Sequence, residues 1–332
     1  MAREIVVNGR FLSRRVTGVE RYGREILSLI GESCRLERTL VNGLPGHIWE
    51  QFILPGKVGS SSILWSPANT GPLMIRNQAL TIHDLSPLEH PHWFRRSFAA
   101  WYHLFLPILV RRVRVILTPS HYVKRKVYAR FNTDNVIVTP NGVDQKIFHP
   151  GAYQYRYDLP SKYILFLGTL EPRKNLNGLL KAWNDIKKDF KEVWLIVAGT
   201  YGKVFRPLKF DGDMERVRFL GHVEQQDLPG LYGGASLFVL PSFDEGFGLP
   251  ALEAMACETP VLVSNAEALC EVFGDSALVF DLSAPESLSR AICEGLENKF
   301  LRLSLMEKGL ARAKCFSWQK TADLIWNTLN EI

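Results

Sequence analysis

Short runs of β-branched and other apolar residues, each ending in small or turn-forming residues, alternate along the chain with segments whose apolar positions recur every three to four residues. In the first half the runs at Ile5–Val7, Ile63–Trp65, Leu80–Ile82, Val115–Leu117 and Val136–Val138 read as strands. The second half adds Tyr163–Leu167, Val193–Val197, Arg218–Phe219, Leu237–Leu240, Val261–Val263 and Ala277–Phe280. Helical periodicity appears at Gly18–Ile30, Ser120–Arg130, Asn175–Lys188, Leu249–Ala256, Pro285–Glu297 and Ser317–Asn330. Strand and helix in alternation predict βαβ units and parallel sheets, hence an α/β chain with two doubly wound sheets. Pro140-Asn141-Gly142-Val143-Asp144 and His149-Pro150-Gly151 form a turn-rich stretch suited to an interdomain connection. It divides the chain into an N-terminal domain of residues 1–150 and a C-terminal domain of 151–316, with 317–332 as a final helix. Ligands of open α/β sheets sit beyond the carboxyl ends of the strands, so two facing sheets imply a cleft.

At 332 residues, 46% hydrophobic and 22% charged, the chain has ample material for buried cores, and disorder is excluded. The apolar stretch Ala99–Val110 near the middle contains His103 and Pro107 and falls short of the ~20 apolar residues that span a bilayer. No apolar leader precedes the first strand, so a cytoplasmic chain is expected. The five cysteines are widely spaced without a C-x-x-C pair, which argues for reduced thiols.

The net charge of +6 is unevenly placed: residues 1–150 carry 20 basic and 10 acidic residues, and residues 151–332 carry 20 and 24. Between Glu89 and Asp134 there are nine basic residues and no acid, interleaved with Trp93, Phe94, Phe98, Trp101, Tyr102 and Phe105. Such a segment suits an anionic membrane surface or a nucleic-acid backbone, and equally a solvated helix face with the aromatics in the core. No nucleic-acid motif accompanies it, so no nucleic-acid partner is expected.

The most informative run is Phe243-Asp244-Glu245-Gly246-Phe247-Gly248-Leu249-Pro250, continuing to Glu253. It follows a predicted strand, and Pro250 falls where a helix should open. Free N–H groups there, approached closely past Gly246 and Gly248, suit a phosphate or a row of hydroxyls. The plainer alternative is a turn at the two glycines and a surface glutamate at 253. Arg173 and Lys174 follow another strand and could neutralise a departing anion. Asp211-Gly212-Asp213 is read as a turn rather than a metal site, and Walker A, G-x-G-x-x-G and H-x-x-x-H patterns do not occur.

With the E-x7-E spacing of Glu245 and Glu253, the sequence resembles the retaining nucleotide-sugar glycosyltransferases of family 4. Further motifs match: Leu167–Asn175, Ala198-Gly199-Thr200, Phe219–Val223, Arg15–Tyr22 and Thr81–Leu85. The last two resemble the bacterial polysaccharide branch, many of whose members use GDP-mannose. The resemblance implies a GT-B fold of two Rossmann-like domains facing across a cleft, with the final helix crossing back to the first. It further implies a hexosyltransferase that retains configuration, takes GDP-mannose or a UDP-sugar, needs no metal or other cofactor, and acts on a glycan or lipid-linked acceptor; the basic segment between Glu89 and Asp134 would hold it peripherally on the inner face of the plasma membrane. By the same resemblance, Arg173, Lys174, Gly168 and the Gly18 backbone hold the diphosphate and Glu253 the ribose. Glu245 with the backbone of Gly246, Phe247, Gly248 and Leu249 meets the donor sugar, His83 lies near it, and Val223 contacts the base. A same-fold epimerase or phosphorylase and a basic nucleic-acid binder are the alternatives.

Overall fold

The computed structural model describes residues 3–14, 16–151, 157–202, 204–206, 210 and 213–332. Twelve strands among them form two six-stranded sheets with parallel pairing throughout. The first holds β1 (Ile5–Asn8), β2 (Arg35–Glu37), β3 (Ile63–Ser66), β4 (Gln78–Thr81), β5 (Val115–Thr118) and β6 (Val136–Val138) in the order β2-β1-β3-β4-β5-β6. The second holds β7 (Tyr163–Leu167), β8 (Trp194–Ala198), β9 (Val217–Gly221), β10 (Leu237–Leu240), β11 (Val261–Ser264) and β12 (Leu278–Phe280) in the order β12-β11-β10-β7-β8-β9. Central strands such as Ile-Leu-Trp-Ser in β3 and Leu-Phe-Val-Leu in β10 are buried along their whole length, as parallel strands covered by helices on both faces must be.

Two compact units result. One comprises Met1–Pro91, Arg96–Gly142 and Trp318–Ile332; the other comprises His92–Arg95 and Val143–Ser317. In the second unit the winding direction reverses between β7 and β10, and in the first between β1 and β3. Those reversals mark where ligands bind in doubly wound sheets.

In the first unit, helix Gly18–Ile30 opens on Thr17, whose backbone N–H donates to the Glu20 carboxylate at 3.2 Å, and turns Tyr22, Ile26 and Ile30 inward. The final helix Trp318–Glu331 belongs to this unit and buries Trp318, Ala322, Ile325 and Leu329, with the Trp318 ring edge-on to Tyr22 at 6.0 Å. Strand β4 begins two residues before the predicted Leu80 because Gln78 is fully buried, bonded by its side chain to Ser66 and to the Pro72 and Ile75 carbonyls.

The aromatic residues of the basic segment are largely core, the second of the two alternatives their pattern allowed. Helix Arg96–Val110 buries Tyr102 and Phe105, with Trp101 stacked on Phe105 at 4.4 Å. Trp93 and Phe94 are buried in the second unit, against Phe243 and Phe205. Arg15 and the Asp211-Gly212 half of the predicted Asp-Gly-Asp turn lie outside the described residues.

Candidate active site

The site is built on the two loops that leave β7 and β10 at the reversal of the second sheet. After β7, the Gly168 N–H donates to the Ala198 carbonyl at 3.0 Å, pinning the loop against the end of β8. The approach is so close that a Cβ on Gly199, whose φ is +133°, would stand 1.8 Å from the Gly168 oxygen. Only glycine fits there. The chain then makes a 3₁₀ turn at Pro172–Lys174, and Asn175 takes a left-handed conformation at φ 53° to start helix Leu176–Ile186. This reversal lays the Lys174 stem over Gly168, with Cε 3.7 Å from where a Cβ would be.

The β10 loop is tied to this turn by the Phe243 N–H, which donates to the Arg173 carbonyl at 2.8 Å. Lys174 Nζ donates to Glu245 Oε1 at 2.5 Å, and Ser242 Oγ donates to the same oxygen at 2.7 Å. Arg173 reaches Glu245 Oε2 at 3.0 Å, the Asp244 carbonyl at 3.1 Å and Glu171 Oε1 at 2.8 Å. Two cations thus meet two carboxylates in a nearly buried cluster, the Arg173 and Lys174 side chains being only 13% and 9% exposed. Burial alone would raise the Glu245 pKa, but the charges of Lys174 and Arg173 outweigh it and draw it down to about 2. Glu171 goes the other way: burial raises its pKa despite the same two cations.

A role at a departing phosphate puts Arg173 and Lys174 at an exposed strand end. Their position at the strand end holds, whereas their exposure is corrected, because a buried charge must carry its own counter-charge. Glu171 and Ser242 complete the cluster and were not picked out from sequence. The signal for Glu171 was its place two residues before the Arg173-Lys174 pair, across Pro172.

Gly246 and Phe247 are buried, Phe247 lying edge-on to Phe316 at 5.5 Å. Gly248 precedes helix Leu249–Ala256 at φ +93°, and a Cβ there would stand 2.6 Å from Leu269 and 2.9 Å from Phe273. Its missing side chain therefore serves core packing as well as backbone freedom. Leu249 opens that helix, and Glu253 is buried within it, accepting a hydrogen bond from Tyr232 Oη at 2.9 Å. Tyr232 thus helps to hold the Glu253 carboxylate inside the unit. Val223 is buried just past β9, two strands from β7 in the sheet order and so roughly 10 Å away along the carboxyl edge.

Two predicted residues belong to the first unit. Gly18 opens helix Gly18–Ile30 with open space where a side chain would be. His83 lies two residues past β4, buried, with its ring edge-on to Tyr22 at 4.8 Å. Burial lowers its pKa, so the neutral ring donates from Nε2 to the Pro67 carbonyl at 2.8 Å, while its backbone N–H donates to Asn69 Oδ1 at 2.7 Å.

Residues 154–312 match the family "Glycosyl transferases group 1", and residues 62–146 match "Glycosyltransferase Family 4". The chain is 34% identical to the O-antigen chain mannosyltransferase B of Escherichia coli over 75% of its own length and 68% of that protein. It is 31% identical to the O-antigen chain mannosyltransferase RfbU of Salmonella typhimurium over 71% of its length and 65% of that protein. Among solved structures, Alr3699/HepE of Anabaena in complex with UDP and glucose superposes with a TM-score of 0.73 at 16% identity, covering both chains completely. Its likeness extends the GT-B architecture to both sheets described above. On its sheet topology, its matched regions and its relatives, the chain belongs to the GT-B glycosyltransferases of family 4, in their bacterial polysaccharide branch.

Proposed function

We propose that the protein transfers mannose, with retention of configuration, from GDP-mannose to a glycan or lipid-linked acceptor in cell-surface polysaccharide synthesis. The observation that carries this reading is the joining of Arg173 and Lys174 to Glu245 at the β7–β10 reversal. Names of the Escherichia coli and Salmonella relatives support mannose, and the Anabaena neighbour supports a nucleoside diphosphate donor in general.

When a donor enters, its diphosphate competes with Glu245 for the two cations. Arg173 and Lys174 then stabilise the charge that grows on the phosphate oxygen as the bond to sugar C1 breaks. The acceptor hydroxyl bonds to C1 on the face the diphosphate leaves, and its proton passes to a phosphate oxygen. Glu245, released from the cations, faces the sugar, Glu253 the ribose, and Val223 the base. Protein cations supply the positive charge, so the scheme calls for no metal.

Among the described residues, no helix is long and apolar enough to cross a membrane. The basic stretch between Glu89 and Asp134 supports peripheral contact with an anionic leaflet, where a lipid-linked acceptor would reside. Thermal stabilisation by a panel of nucleotide sugars, followed by product analysis with and without acceptor, tests the reading. Stabilisation by GDP-mannose and acceptor-dependent mannosyl transfer are expected; an isomerised or phosphorolysed sugar formed without acceptor would overturn it.

A further inference from the structure

Every residue from 241 to 249 is buried except Phe243, which stays 47% exposed. Burying a ring of that size is favourable, and Phe247 four positions on gains it by turning into the core. Phe243 is held out of the core by its backbone, since its N–H donates to the Arg173 carbonyl at 2.8 Å. The same bond fixes it beside the turn that carries Arg173 and Lys174. Its ring is backed by Trp93, whose plane is inclined by 23° with the centroids 6.3 Å apart.

Trp93 is itself braced. It comes from the first half of the sequence, yet His92–Arg95 belong to the second unit. There Phe94 forms an antiparallel bridge with Phe205, their rings 4.8 Å apart. The Arg206 N–H donates to the Trp93 carbonyl at 2.9 Å, and the Arg95 N–H donates to the Val204 carbonyl at 2.9 Å. Arg206 Nε adds a bond to the Phe94 carbonyl at 3.3 Å. The His92 ring stands edge-on to Trp93 at 5.5 Å. A half-exposed ring on so fixed a support loses little freedom when a ligand lies against it.

The ring's surroundings say what that ligand is. An acyl chain needs a continuous apolar strip, whereas Phe243 stands between the polar Ser242 and Asp244. One flat apolar face with polar neighbours matches a pyranose, whose C–H face packs on an aromatic ring while its hydroxyls bond at the rim. Glu245 follows two residues later, and two residues of backbone reach no more than ~7 Å, about the length of one sugar unit. A sugar on Phe243 therefore lies next to the one that Glu245 meets in the proposed reaction. We infer that Phe243, braced by Trp93, is the platform on which the acceptor's terminal sugar stacks, so that the acceptor hydroxyl belongs to a pyranose and not to a bare lipid alcohol. The inference deepens the proposed function by naming the acceptor class, and it rests on that reading. Phe243 binds and orients; it takes no part in bond making.

Saturation-transfer NMR on the full chain with GDP present tests it, with mannobiose, chitobiose and 1-octanol as probes. Irradiating the aromatic protons is expected to saturate the ring C–H protons of at least one disaccharide and not the octanol chain. Phe243→Leu keeps apolar bulk without the flat face. It should abolish that signal and raise the acceptor KM about three- to tenfold, more than it lowers kcat. Phe243→Tyr should restore both, which separates lost stacking from lost folding. Absence of saturation on every disaccharide in the wild type, or an unchanged acceptor KM in Phe243→Leu, would overturn the inference. So would saturation of octanol equal to that of the sugars, which assigns the ring to a lipid chain, or a loss in Phe243→Leu confined to GDP-mannose affinity, which assigns it to the donor. Sugar saturation that depends on Phe243, without hexosyl transfer from any nucleotide sugar, would instead sink the proposed function alone.

Discussion

Lys174 and Glu245, 71 positions apart, share a hydrogen bond of 2.5 Å because the sheet order sets β10 beside β7. The lysine that should meet a diphosphate thus already holds an anion. In the proposed mechanism donor binding is an exchange of one anion for another, with the cations compensated before and after it.

Replacing Lys174 with Ala should therefore damage both stability and rate. Leaving Glu245 buried with fewer partners costs about 3–5 kcal/mol, and losing a group aimed at developing phosphate charge costs ~10²–10³ in turnover. Adding Glu245→Gln should recover much of the stability and none of the turnover. Urea unfolding and steady-state kinetics on the single and double variants separate the two effects, and near-normal turnover of Lys174→Ala would remove its assigned role.

Glu245→Gln alone should leave affinity for free nucleoside diphosphate unchanged or higher, because it removes the competing anion, while transfer falls. Glu253→Gln should do the reverse and weaken nucleotide binding, its carboxylate being assigned to the ribose. Calorimetric titration with nucleoside diphosphate distinguishes them, and equal loss of affinity in both would contradict the division.

His47 gives a pH dependence of known sign. Burial first, then the charges of Arg10 and Arg14, lower its pKa from 6.5 to about 3. Glu50, 3.9 Å away, is already paired with Arg10. The unfolded chain takes up a proton near pH 6.5 that the folded chain refuses, so stability contributed by neutral His47 is present above that pH and lost as pH falls toward about 3. In His47→Gln, the fall of the urea midpoint across this window should be shallower than in the wild type.

Gly248→Ala should destabilise the second unit twice over. Left-handed backbone costs about 1–2 kcal/mol for a residue with a Cβ, and crowding Leu269 and Phe273 adds ~1–3 kcal/mol. Chemical denaturation measures the sum; a wild-type midpoint would show that the loop relaxes freely.

Much of this was legible in the sequence. Helices Leu249–Ala256 and Pro285–Glu297 and strands β6, β7 and β10 have the bounds their periodicity predicted, because each combines an apolar run with clear end signals. Strand β2 went unread because Arg-Leu-Glu is a half-exposed, charged edge. The helical run of residues 43–57 was hidden by Gly43, Pro45, Gly46, Pro55 and Gly56, and helix Arg96–Val110 by its internal Pro107. At the site, the residue types of Arg173, Lys174 and Glu245 could be read from motif and spacing. Their mutual neutralisation could not, since it depends on which strands lie side by side. Ser242 is an ordinary serine until β10 is placed beside β7.

The last helix has a consequence for biosynthesis. Trp318 closes on Tyr22 in the first unit, yet the ribosome makes it only after all of residues 143–317. Nascent chain up to Gly142 therefore waits without the part of helix Gly18–Ile30's packing that the last helix supplies, and the second unit can finish folding before the first. Until translation delivers Trp318, Ala322, Ile325 and Leu329, the apolar side chains they cover stay open to water.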